Sequence, residues 1–274
     1  MLFLWPDLVE KLSGDRSRPL EALGFRMGNK GTHTSRTMML KELEVLLATV
    51  PANATREAYV SKIIDENVLG KSTQATRKLT AQRLGELYSF DIGVPLFRVF
   101  RFYWDRDRRG HALLALLLAL ARDPLLRATA SSVLGLVPDE AFDRQSMRDA
   151  VRAAVGDRLN DNTIDKVVRN AASTWTQSGH LVGRVNKQRR RVSPTPASTA
   201  FALFLGYSLG MRGESLLRSM WIRILDLSVD DALKMASDAK RLGLLNMSLG
   251  GGVIEISFAR LLSDAGKGVM YGAN

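Results

Sequence analysis

Ser146-Met-Arg-Asp-Ala-Val-Arg-Ala-Ala-Val155 runs into Gly156-Asp-Arg-Leu-Asn-Asp-Asn162. Thr163 to Gln177 follows, and then Leu181-Val-Gly-Arg-Val-Asn-Lys-Gln-Arg-Arg-Arg-Val192. The order is helix, short polar turn, second helix stopped by Ser178–Gly179, and a basic hairpin closed at Pro194. These are the parts of a winged helix-turn-helix, in which one helix is offered to a groove and the wing to phosphates. At 100° per residue, Ile164, Val167, Val168, Ala171 and Trp175 share one side of the second helix. Lys166, Arg169, Asn170, Ser173 and Gln177 share the other, a set of donors and acceptors suited to base edges and phosphates. Asn162 or Thr163 is the expected N-cap. Most charged helix faces are only solvated. What raises this one is the wing that follows, with Arg184, Lys187, Arg189, Arg190 and Arg191 within eight positions.

Whole-chain charge agrees. The 274 residues carry 39 Lys and Arg against 28 Asp and Glu, a net of +11, concentrated at Arg98–Arg109 and Arg184–Arg191. Such a field attracts polyanions. It also suits an acidic membrane surface or an acidic protein. Apolar residues make up 46%, enough for a real core. The chain has no cysteine, so disulfides and thiolate metal sites are excluded, and a reducing cytoplasm is the expected compartment. His33, His111 and His180 lack ligand spacing and read as surface or helix-end residues. Met1-Leu-Phe-Leu-Trp-Pro6 is too short for a signal sequence. Ala112–Ala121 is about half of the ~20 residues that span a bilayer, and reads as a buried helix.

Residues 1–30 read as a loosely ordered leader rich in glycine. An N-terminal helical domain is expected over 31–136, with helices Arg36–Val50, Thr55–Asn67 and Thr73–Tyr88. Ala58, Tyr59, Ile63 and Ile64 should face inward in the second, and Leu79, Leu84 and Leu87 in the third. This trio is either a plain packing unit or a second helix-turn-helix with Gln74, Arg77, Lys78 and Gln82 outward. Helices Pro95–Asp105, Arg109–Arg122 and Pro124–Leu134 complete it, with Leu136–Asp139 as the boundary. The C-terminal winged-helix-like domain, 137–274, continues with helices Ser198–Leu209, Gly213–Leu225 and one capped by Ser228. A hairpin of Leu244–Met247 and Val253–Phe258 then repeats the winged layout without basic charge, and reads as structural or protein-binding. Gly266–Asn274 is expected to fray. The fold class is therefore mainly α: many helices, helix-turn-helix or winged-helix units, and one or two small β-hairpins.

No catalytic or cofactor motif emerges. Gly70-Lys71-Ser72 resembles the end of a P-loop, but Asp65 occupies the place of its first glycine. Asp105 and Asp107 lack a third ligand and sit among arginines. Gly250–Gly252 suits a turn better than a phosphate cradle. Trp104, Trp175 and Trp221 occupy apolar helix faces, as core residues do. The chain is expected to be no enzyme and to need no metal or cofactor.

Several segments carry a family likeness: Thr34–Leu47, Tyr59–Leu69 leading into Ser72–Lys78, Ala112–Arg127, and Asn162–Val168 running on to Gly179. On these the chain, from about Thr32 to Pro196, resembles the BrxA family of bacterial BREX phage-defence systems, itself likened to the antitermination protein NusB. The leader before Gly28 departs from that family's start. The resemblance implies an all-helical, cytoplasmic, non-enzymatic protein with helix-turn-helix units. It implies DNA binding, and work alongside the BREX methyltransferase, ATPase and phosphatase-like components. The expected partner is duplex DNA, and no membrane. A NusB-like RNA-binding protein and an adaptor for acidic partner proteins stand as alternatives, with a sequence-specific repressor behind them.

Overall fold

The computed structural model describes residues 17–261, apart from Asn29, Gly252 and Arg260. Its helices are α1 (Ser17–Leu23), α2 (Leu40–Thr49), α3 (Arg56–Ile64), α4 (Gln74–Tyr88), α5 (Pro95–Trp104) and α6 (His111–Arg122). Then come α7 (Pro124–Ala128), α8 (Ser131–Leu134), α9 (Arg144–Val155), α10 (Asp161–Gln177), α11 (Pro196–Ser208), α12 (Glu214–Leu217), α13 (Met220–Ile224) and α14 (Val229–Arg241). Two antiparallel hairpins interrupt them: β1 (Leu181–Val182) with β2 (Gln188–Arg189), and β3 (Asn246–Gly250) with β4 (Val253–Ser257). The fold is mainly α with two small hairpins, as its sequence patterns require.

Two helices with no polar face organise the core. In α6, Leu113 through Ala121 are all buried, and in α11 Ala197 through Ser208 are. A helix apolar on every side must be surrounded. Helices α2, α4, α5, α7, α10 and α11 pack on α6, and α11 also carries α12, α13 and α14. Thr195 starts α11 through a capping box with Ser198, ahead of Pro196 at N1. The buried cluster is continuous from Leu20 to Phe258 and passes the turn at 136–139 without a break. Phe100 lies 6.0 Å from Phe201 between ring centroids, and the Tyr103 hydroxyl donates to the Leu244 carbonyl at 2.8 Å. Trp104, Trp175 and Trp221 are core residues, as expected.

Several expectations need correction. Part of the supposed leader is ordered: α1 and the turn after it bury Leu20, Leu23 and Phe25, while residues 1–16 lie outside the described set. Helix α2 begins at Leu40, not Arg36, because residues 31–39 are claimed by α10. The Met38 N–H donates to Thr174 Oγ1 (2.9 Å) and the Leu40 N–H to Gln177 Oε1 (3.1 Å). Ala58 is exposed on α3, where Tyr59 and Ile63 are buried and Ile64 packs half-buried against the core. The expected helix 124–134 breaks at Thr129, whose hydroxyl donates to Leu126 O (2.7 Å) and accepts from Trp175 Nε1 (2.9 Å). Helix 213–225 breaks at Ser219, which takes the extended conformation of an N-cap (φ −65°, ψ 156°). The frayed segment expected at 266–274 lies outside the described residues.

Candidate nucleic-acid interface

Asn160, and not the expected Asn162 or Thr163, caps α10, with its Oδ1 accepting the Thr163 N–H at 2.9 Å. Asp161 and Asp165 fall in the first turns and are taken up by α9. Arg148 and Arg152 both pair with Asp161, and Arg148 also pairs with Asp165. The neighbouring helix thus removes the acidic charge of α10. The buried side of α10 is the predicted one: Ile164, Val167, Val168, Ala171 and Trp175 are all in the core. A bridge from Ala141 to Gln188 adds a third strand position beside β1 and β2, so the wing is tied to the residue chain entering α9. Helices α7–α8, this bridge, α9, α10 and the β1–β2 hairpin follow one another in winged-helix order.

Lys166 and Arg169 are exposed, and no ion pair among the described residues involves them. Helical spacing puts Ser173 and Thr176 in line with them toward the wing. The Lys187 ammonium donates to Thr176 Oγ1 at 2.9 Å and to Gly183 O at 3.1 Å, mooring the wing to that stripe. Partial burial pushes its pKa down. Gly183, at φ +102°, makes the turn: a Cβ there would meet Asn186 O at 2.2 Å. Arg184, Arg190 and Arg191 are exposed. The exposed cations of this helix–wing unit are Lys166, Arg169, Arg184, Arg190 and Arg191, with Lys187 half-buried. Arg191 lies close enough to Asp231 of α14 to help the Ser228 hydroxyl and Lys234 hold that carboxyl below its ordinary range.

The other expected contacts are spent inside the protein. Arg189 is 3% exposed. Its guanidinium pairs with Asp226 and donates through Nε to Val133 O at 3.1 Å. Asp226 also accepts the Val192 N–H at 2.9 Å, so this ion pair fastens the wing base to the turn after α13. Asn170 Nδ2 donates to His33 O (2.8 Å), and Gln177 holds the Leu40 N–H while donating weakly to Ser173 Oγ (3.4 Å). Two of the five residues of the predicted reading face thus bind the segment 31–40 instead of facing solvent. On α4, Gln74 and Lys78 are exposed, whereas Arg77 donates to Ile64 O (3.0 Å) at the C-terminal end of α3.

Two histidines are not at the surface. His33 and His180 are both fully buried. His33 joins Asp123 through Nδ1 (2.7 Å) and Thr174 Oγ1 through Nε2 (2.8 Å). Thr174 Oγ1 also accepts the Met38 N–H, so this one hydroxyl joins His33 to the backbone of the segment before α2. The constellation has the connectivity of an acid–base–nucleophile triad, yet all three side chains are sealed in the core, which leaves no room for a substrate. Burial would raise the Asp123 carboxyl. His33 and the backbone N–H groups of His33 and Leu126 hold it below the usual carboxylate range instead. His180 lies between Ser178 Oγ (2.9 Å) and Ile224 O (2.7 Å), and burial pushes its pKa down to about 4. Only long-range pairing could have revealed these roles.

The rejected sites are accounted for. Lys71 pairs with Glu42 at 2.9 Å, Asp105 with Arg101 at 3.0 Å, and Asp107 accepts from the Thr195 hydroxyl. Gly250 pairs with Val253 across a tight hairpin turn. Among the described residues there is no cluster of three or more metal-binding side chains, and no helix is long and apolar enough to cross a membrane. In the second hairpin unit, α14 balances its own charges through Lys234–Asp231 (3.3 Å) and Arg241–Asp238. No protein-family model and no curated protein matches the chain.

Proposed function

We propose that this chain is a non-enzymatic DNA-binding protein that grips duplex backbone with the exposed face of α10 and the β1–β2 wing. The observation that carries the reading is the set of five exposed cations, Lys166, Arg169, Arg184, Arg190 and Arg191, on one helix–wing unit, where Asp161, Asp165 and Asp226 are already paired and Asp231, near Arg191, pairs with Lys234. Phosphate contacts carry no sequence information. With Asn170 and Gln177 turned inward, the unit has few side chains left to read bases, so binding is mainly electrostatic and weakly selective. The exposed Gln74 and Lys78 on α4 are a secondary contact at most. The resemblance to the BrxA family supports a cytoplasmic role for this activity in a BREX defence system, beside its methyltransferase and ATPase components.

Competition between duplex DNA and RNA of equal length tests the reading, with a variant carrying Arg184→Glu, Arg190→Glu and Arg191→Glu as the control. Duplex DNA should compete best and the variant should lose binding to it. Preference for RNA would favour the NusB-like alternative. Retention of neither, together with co-purification of partner proteins, would favour an adaptor.

A further inference from the structure

We propose that the groove between the turn following α1 and the C-terminal ends of α4 and α6 is a binding site for a phosphate-bearing ligand. The cavity there has a volume of about 640 Å³, and Arg26, Lys30, Arg122, Glu21, Phe25 and Val94 contribute to its walls. Arg26 Nη1 and Arg122 Nε both donate to the Glu86 carbonyl, at 3.3 and 3.1 Å, so the two guanidinium groups converge on one oxygen. Arg122 also donates to the Gly24 carbonyl. Gly24 itself is fixed at φ +110°, and a Cβ on it would meet Val94 at 2.5 Å, so the turn is built for this approach.

Helix capping accounts for some of these bonds but not for the charge. A helix C-terminus presents about half a negative charge, against two guanidinium groups and the exposed Lys30. The nearby carboxylates are committed elsewhere: Glu86 to Arg83 (2.8 Å) and Thr32 (3.0 Å), Asp123 to His33. Glu21, exposed at the rim, is the one acidic wall residue among the described residues. Among the described residues no ion pair involves Arg26, Lys30 or Arg122. The Arg122 guanidinium pays for this arrangement: burial, then the charges of Arg26 and Arg56, pull its pKa down to about 10. Guanidinium donors match phosphate oxygens. With Arg122 Nε and Nη1 on the Glu86 and Gly24 carbonyls and Arg26 Nη1 on Glu86, the donors offered to a phosphate are Arg122 Nη2, the remaining Arg26 N–H groups and the rim ammonium of Lys30. The buried Phe25 and half-buried Val94 give the cavity apolar wall beside the cations, which suits an organic phosphate of nucleotide size. The site lies on α1, α4 and α6 and does not depend on the helix–wing reading.

Calorimetric titration of the whole chain with inorganic pyrophosphate and with ADP tests the site. Saturable binding is expected, weakened about tenfold or more in Lys30→Glu, whose exposed side chain makes no hydrogen bond or ion pair among the described residues, and in Arg122→Lys, which keeps the charge but loses the fork. Absence of saturable binding would overturn the proposal, as would binding that Lys30→Glu leaves unchanged. Adding duplex DNA distinguishes the sources of phosphate. Displacement of pyrophosphate identifies the DNA backbone as the ligand, and continued occupancy identifies a free phosphorylated compound.

Discussion

Replacing Arg189 with alanine separates fastening the wing from gripping phosphate. Arg189 lies in a run of three arginines, and by sequence all three are equivalent phosphate ligands. In the fold Arg189 is buried and paired with Asp226, while Arg190 and Arg191 are exposed. Removing one partner of a buried pair costs about 3–5 kcal/mol. The lower end applies, because the Asp226 side chain is 13% exposed and keeps the Val192 N–H. At roughly 2–4 °C per kcal/mol for a chain of this size, the melting temperature should fall by about 6–12 °C. DNA binding should behave in the opposite way. Five neutralised phosphates give a log–log salt slope of about −4.5, which Arg189→Ala leaves intact below its melting temperature. The double change Arg190→Ala and Arg191→Ala should move the slope to about −2.7 with little change in melting. Thermal denaturation and fluorescence anisotropy across a salt series read both quantities. A folded Arg189→Ala protein whose slope drops as far as one of the exposed arginines would show that the buried pair is not where Arg189 acts.

Three further outcomes follow from the same contacts. Thr174→Val leaves the Met38 N–H and His33 Nε2 without their shared partner in the core, and should cost about 1–3 kcal/mol in urea denaturation. Gln177→Ala exposes the Leu40 N–H and should cost about 1 kcal/mol while leaving DNA affinity unchanged; a large affinity loss would mean that Gln177 reaches the nucleic acid. His180 is neutral in the folded chain, with its pKa near 4 against about 6.5 unfolded, so the unfolded state binds more protons between those values. Stability should therefore fall as pH drops from about 6.5 to 4, by up to about 3 kcal/mol, and urea midpoints of His180→Gln at pH 7 and pH 5 should lie closer together than those of the parent.

Much of the architecture was legible because it is written in local chemistry. The apolar run in α6 has no polar face to leave at the surface, Ser228 and Thr73 are good caps, and Gly183 permits the one turn that closes the wing. What failed locally were two helix breaks, one at Thr129, whose hydroxyl bonds the Leu126 carbonyl, and one at Ser219, whose backbone turns extended without a side-chain cap. Thr129 and Ser219 each sit in a run with unbroken helical periodicity, and nothing short of the tertiary partner of Thr129, the Trp175 indole, marks the break. The two buried histidines were illegible for a similar reason: Asp123 and Thr174 lie 90 and 141 residues away from His33.

The candidate interface shows where such reading stops in principle. A helix face of Lys, Arg, Asn, Ser and Gln can satisfy phosphates and base edges, and it can equally satisfy a stretch of backbone that lacks partners of its own. Residues 31–39 are such a stretch: they enter no long helix, and their N–H and C=O groups need acceptors and donors. Asn170, Thr174 and Gln177 supply them on one flank of α10, while Lys166 and Arg169, which offer charge rather than acceptors, remain outside. The division falls by chemistry. Uncharged amides and hydroxyls can be buried at modest cost once bonded, but an ammonium or guanidinium needs a carboxylate or water. Arg189 obeys the same rule from the other direction, going inside only where Asp226 waits for it. A basic recognition helix is therefore better read by asking which of its cations the rest of the chain can neutralise than by counting all of them.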